Sequence, residues 1–166
     1  MRDELARAAA EAIVSVSNAA IPLRSLATKV FHVTVHEGDL GPRGVAVVME
    51  AFFGEVPTIE LEVEIDGVPG DAGFLRAVTE ELQRMQYVAI NESPMSDDEF
   101  LRESGLEWDP LPDPAVQLVG GAAVEAARRL SQAAGREVEV TATLETATQG
   151  TVVIHATPSG YSVERL

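Results

Sequence analysis

A chain of 166 residues with 46% hydrophobic content is long enough to bury its own core without a metal or a cross-link. Cysteine is absent, which excludes disulfides, thiolate nucleophiles and cysteine-bound zinc or iron–sulfur sites. Twelve basic residues against 27 acidic ones give a formal charge of −15, and such a surface repels both nucleic-acid backbone and anionic membrane.

No stretch approaches the ~18 uninterrupted apolar residues of a membrane span, and Asp3 and Glu4 stand where a secretory signal carries bases. A soluble, cytoplasmic protein is therefore expected.

Residues 3 to 18 read as an amphipathic helix. Leu5, Ala8, Ala9, Ala12, Ile13 and Val16 recur at three- and four-residue spacing, opposite Arg7, Glu11 and Ser15. The run Ser15-Val16-Ser17-Asn18 should fray the end, and Pro22 cannot continue it. Three strands are expected next. In the first, Phe31, Val33 and Val35 alternate with His32, Thr34 and His36. The second, Gly44 to Phe53, is almost continuously apolar, as a strand needing cover on both faces would be. In the third, Ile59, Leu61, Val63 and Ile65 alternate strictly with Glu60, Glu62, Glu64 and Asp66. That pattern implies one core face and one exposed column of carboxylates, because a slip of one residue would bury every acid at once.

Asp71 is placed as the N-cap of a helix over Ala72 to Gln86, with Phe74, Leu75, Val78, Leu82 and Met85 on one stripe. A short strand, Tyr87 to Ile90, follows. Ser96 and Glu99 form a capping box for a short helix, Asp97 to Glu103, which Gly105 is placed to stop. Three prolines between Asp109 and Pro114 read as a semi-rigid connector. Beyond it, Ala115 to Val119 is ambiguous between strand and helix, and Val119-Gly120-Gly121-Ala122 reads as a tight turn into a helix over Ala122 to Ala134. Two strands close the chain, near 138–144 and 151–157.

The expected order is thus α-β-β-β-α-β, a connector, then α-β-β: an α+β fold with an antiparallel sheet and helices on one face. Residues 1–108 form the main domain and 109–114 the connector. Residues 115–166 either pack on that domain or form a small subdomain. A helix leading into antiparallel strands occurs near residues 3–53 and again near 122–157, which raises the idea of an internal duplication.

Little in the chain points to chemistry. His32 and His36 stand ~13 Å apart along one strand, and His155 lies on another, so no convergent metal-ligand set is expected. Serine lacks a nucleophile-elbow context, and the Gly120-Gly121 pair lacks the pattern of a nucleotide loop. Asp97, Asp98 and Glu99 suit a helix N-terminus. No catalytic residue, cofactor or metal is expected. The acidic face Glu60, Glu62, Glu64 and Asp66 is the candidate surface for a partner, and a basic protein is the partner it suits.

In element order and charge, residues 3 to 90 resemble the dimeric chaperones of type III secretion and the YbjN-like proteins that share their architecture. The resemblance implies a protein-binding module without catalysis and transfers no functional residue. Residues 110–166, ending in a helix and two strands, depart from that pattern.

The expected function is accordingly a non-enzymatic, acidic protein-binding module, chaperone-like or an adaptor. The rival readings are a small-ligand-binding protein or small enzyme with a pocket between sheet and helices, and an acidic inhibitor or immunity-type protein. A homodimer is also expected. The alanine-rich first helix should dock only modestly on its own domain, and Val45, Val47, Val48, Met49, Phe52 and Phe53 call for more cover than the helices supply.

Overall fold

In a computed structural model, which describes residues 2–21, 27–91 and 108–166, β1 (Thr28–Gly38) pairs antiparallel with β2 (Gly41–Phe52), and β2 with β3 (Pro57–Asp66). Then β3 pairs with β5 (Glu139–Thr146), β5 with β6 (Gly150–Thr157) and β6 with β7 (Gly160–Arg165), all antiparallel. The short strand β4 (Val88–Asn91) joins the free side of β1 in parallel, so the sheet is mixed, in the order β4-β1-β2-β3-β5-β6-β7. Among the described residues, three helices accompany the sheet: α1 (Arg2–Ala20), α2 (Ala72–Arg84) and α3 (Ala115–Ala134). The fold is α+β. Among the described residues, no helix is long and apolar enough to cross a membrane.

The alternation read from β3 places its apolar residues as expected. Ile59, Leu61, Val63 and Ile65 are buried and sit opposite Ala51, Met49, Val47 and Val45 of β2. On the other side of β3, Leu61, Val63 and Ile65 face Leu144, Ala142 and Val140. Register partners share a face, so one apolar plane runs from β1 through β6, and the helices cover it. The almost continuous apolar run of β2 does not mean equal cover on both faces. Val45, Val47, Met49 and Ala51 lie in the core, while Val48 and Phe52 are part-covered on the opposite face.

The first helix differs most from expectation. It runs through the Ser15–Asn18 stretch to Ala20, because Ser17 and Ala20 are enclosed by the fold rather than left to fray. It is also the middle helix of its layer, touching both α2 and α3. Ala6, Ala9 and Ala10 are 0% exposed: small side chains let two neighbouring helices approach closely. Arg2 pairs with Asp71, and Arg7 lies 3.8 Å from Glu81, tying α1 to α2. The helix expected to dock only modestly is thus enclosed between two neighbours and leaves no loosely held face for a second copy to cover.

Past residue 108 the structure adds three findings to the reading of the sequence. The segment 109–114, read as a semi-rigid connector, is bonded to the sheet. The Asp109 amide donates to the Thr58 carbonyl, the Leu111 amide donates to Glu145, and the Ala147 amide donates back to Leu111, whose side chain is 3% exposed. Asp113 accepts from the amide of Thr148 at 3.1 Å and also from its hydroxyl. Next, Gly120 and Gly121 lie inside α3 rather than in a turn before it. The space a Gly120 side chain would fill is occupied by the Tyr161 ring, 2.6 Å from the would-be Cβ. Finally, residues 160–165 add a third strand after α3, and β5 pairs directly with β3, so residues 139–165 extend the same sheet. The capping box at Ser96 and Glu99, the helix Asp97 to Glu103 with its stop at Gly105, and Pro22 lie outside the described residues.

The chain does repeat a helix followed by a three-strand meander, as α1-β1-β2-β3 and α3-β5-β6-β7. A duplication is nevertheless incompatible with the topology. Both sets of strands run across the sheet in chain order, with the helices on the same face, yet β5 runs opposite to β1. A half-turn in the sheet plane that aligns β5 with β1 reverses the strand order of the second unit. The two units are of opposite hand, and no rotation superposes them.

Candidate functional site

With the helices on one face, the other face of the sheet gathers the polar half of every alternating strand. Among the described residues, no helix or strand covers it. The register sets its rows. His32, Val48, Glu62, Thr143, Val153 and Glu164 lie across the sheet in one row. Thr34, Ala46, Glu64, Thr141, His155 and Ser162 form the next, and His36, Gly44, Asp66 and Glu139 the one beyond. On the other side of the first row, Val30, Glu50 and Glu60 lie together.

All three histidines thus stand on one face, each beside a carboxylate. His32 Nε2 is 3.0 Å from Glu50 Oε1, and His155 Nε2 is 3.0 Å from Glu164 Oε2. His36 Nε2 is 2.9 Å from Asp66 Oδ1 and 3.5 Å from Glu64 Oε2, reaching β3 from β1 over a residue that has no side chain, Gly44. Arg43 Nη2 contacts the other Asp66 oxygen at 3.0 Å from the rim. These pairings escape a reading of single strands. Alternation gives the face of each residue, while the register between strands decides which acid meets which base.

The four acids singled out from the sequence, Glu60, Glu62, Glu64 and Asp66, do form one column on this face. They are not freely exposed as expected: all four are part-covered, because neighbouring strands on both sides crowd a central strand with side chains of similar height. Glu62 carries the consequence. Its row neighbours on the adjacent strands are Val48 and Thr143, neither a cation. Burial pushes its carboxyl up to about 7, reinforced by a hydrogen bond and by charge repulsion from Glu64, and opposed by the nearby His36. In its protonated form Glu62 donates to Glu64, so two acids hold one proton between them.

The interior between sheet and helices is filled by side chains such as Phe31, Phe74, Ile13, Met49, Leu82 and Leu130, all fully buried. The grooves lie at the rims, for example one of about 610 Å³ bordered by Val116, Gln117, Tyr161, Val163 and Arg165. Among the described residues, no group of histidine and acid side chains is placed to hold a metal ion. No family model, curated protein or solved structure matches the chain.

Proposed function

We propose that this chain is a non-catalytic protein-binding module, in a chaperone-like or adaptor role, whose open sheet face takes a basic segment of another polypeptide. The observation that carries this reading is the Glu62–Glu64 pair. Two carboxylates on a sheet face that no described helix or strand covers share a proton because His36 and Arg43 reach Asp66 and Glu64, while the neighbours of Glu62 on the adjacent strands are Val48 and Thr143. An incoming lysine or arginine would take the place of that proton and form a charge-assisted hydrogen bond where the protein now spends a proton. The part-covered Val30, Val48 and Val153 around the acids give the partner's side-chain stems apolar surface to lie on. The filled interior favours this surface over a ligand pocket between sheet and helices.

The test uses a peptide alternating arginine and apolar residues, titrated by calorimetry in buffers of different ionisation enthalpy. Binding should release protons near pH 7, weaken with salt, and move amide resonances of β2, β3 and β5. The double variant Glu62→Gln/Glu64→Gln should bind about tenfold more weakly, a loss of about 1.4 kcal/mol. Undiminished binding by that variant, or resonance changes confined to the helices, would refute the assignment.

A further inference from the structure

The outer edge of β7 is a second surface, independent of the acidic face. At the β6–β7 hairpin the turn Pro158-Ser159 is flanked by the paired Thr157 and Gly160, and at the far end the Leu166 amide donates to the Thr151 carbonyl at 3.0 Å. Hydrogen bonding alternates along an antiparallel pair. With 160 and 166 turned toward β6, so are 162 and 164, and the backbone groups of Tyr161, Val163 and Arg165 point away from the sheet. Edges are usually blunted by proline, a bulge or charged side chains, lysine above all; β7 has no proline, lysine or bulge, its register with β6 is unbroken, and its charges, Glu164 and Arg165, stand at its end. Tyr161 and Val163 are each 41% exposed on the helix side of this edge, beside the groove bordered by Val116 and Gln117.

The geometry points to a second copy of this chain as the occupant, pairing β7 with β7 across a twofold axis at Val163 and joining two seven-stranded sheets into one. Twofold symmetry in an antiparallel pair allows only registers that place a residue opposite itself. On Val163, Tyr161 faces the partner's Arg165, Ser162 faces the partner's Glu164, and Val163 meets the partner's Val163. Every pair is complementary or neutral, and an arginine over a tyrosine ring adds a cation–π contact. The three outward-facing pairs each exchange two backbone bonds, about six in all. An axis at Glu164 or at Arg165 sets like charges face to face, which is destabilising. An axis at Ser162 drives Arg165 and Leu166 against the Pro158-Ser159 turn. The groove beside α3 gives the partner's Tyr161 and Arg165 room on the helix side. The overall charge of −15 opposes association at long range, so the dimer should tighten as salt screens it.

The experiment measures mass in solution by sedimentation and light scattering over rising protein concentration, at low and physiological salt. The native chain should reach twice its 17.7 kDa, more readily at the higher salt. Val163→Pro removes an amide that faces away from β6, a position where an edge strand tolerates proline; it should leave the circular dichroism unchanged and hold the protein at 17.7 kDa. Val163→Cys, the sole cysteine of its chain, should oxidise to a disulfide-linked dimer, since directly paired residues lie within disulfide reach. A native chain that stays monomeric throughout overturns the proposal, and so does a folded Val163→Pro variant that still dimerises. If Val163→Pro fails to fold, the cross-link decides: its absence at concentrations where the native chain is dimeric overturns the β7 interface.

Discussion

His36 of β1 and Asp66 of β3 meet at 2.9 Å although the whole of β2 runs between them. They do so over Gly44, the β2 residue paired with both, and just before the β1–β2 register shifts at Glu37. A Cβ added at Gly44 would sit 1.8 Å from the Ile65 carbonyl oxygen, which is backbone and cannot swing aside.

Gly44→Ala should therefore destabilise the protein by about 2 kcal/mol or more, since β2 and β3 must move apart to admit one methyl. Urea denaturation of variant and native protein checks this. A change below ~0.5 kcal/mol would show that the strands are not held so closely.

The two glycines of α3 should respond differently. An alanine at Gly121 meets nothing within 4 Å, so Gly121→Ala should stabilise by about 0.5–1 kcal/mol through helix propensity. Gly120→Ala adds the same propensity but must push the Tyr161 ring away, so its gain should be smaller or absent. Thermal unfolding of the two variants side by side gives the difference, and equal gains would place Tyr161 off the helix.

Glu62 makes stability depend on pH in an unusual direction for a carboxylate. Its native value is raised from 4.5 to about 7, so between those limits the folded chain binds more protons than the unfolded one, and stability falls as pH rises. Its contribution is fully present below 4.5 and lost as pH passes through about 7. After allowance for partial exposure, the loss should be about 1–3 kcal/mol. Glu62→Gln, which cannot ionise, should match the native protein near pH 5 and exceed it near pH 8. Denaturant titrations at both pH values test the sign; native stability that rises over this interval by as much as the variant's contradicts the shared proton.

Leu111→Ala distinguishes an anchored segment from a linker. With its side chain 3% exposed and its backbone bonded on both sides to the end of β5, truncation should cost about 2–4 kcal/mol. A linker leucine would cost almost nothing. Amide hydrogen exchange at Leu111 and Ala147 should show protection in the native protein, and rapid exchange at both would return the segment to a spacer.

The face of each residue in the alternating stretches of β1 and β3 was readable from the sequence, because a period of two in Ile59 to Asp66, or in Phe31 to His36, admits one way of burying apolar side chains. The N-cap at Asp71, which accepts from the Phe74 amide at 2.9 Å, was equally local. The sequence by itself also fixed a formal charge of −15 and the absence of cysteine chemistry. What it could not fix is whatever depends on a partner distant in the chain. Alanines at Ala6, Ala9 and Ala10 look like weak packing until α2 and α3 close on both sides of them. Gly120 looks like a turn until Tyr161, forty-one residues later, occupies its missing side chain. The proline-rich segment looks like a spacer until Leu111 finds β5. Glu62 looks like any surface acid until the register sets Val48 and Thr143 beside it and leaves the bases to its neighbours. Local periodicity and capping are short-range steric and hydrogen-bonding effects, written residue by residue. The acid–base pairing, the place of α1 and the place of β7 at the end of the sheet follow from the order and register of the strands, which the burial of the whole apolar plane decides at once.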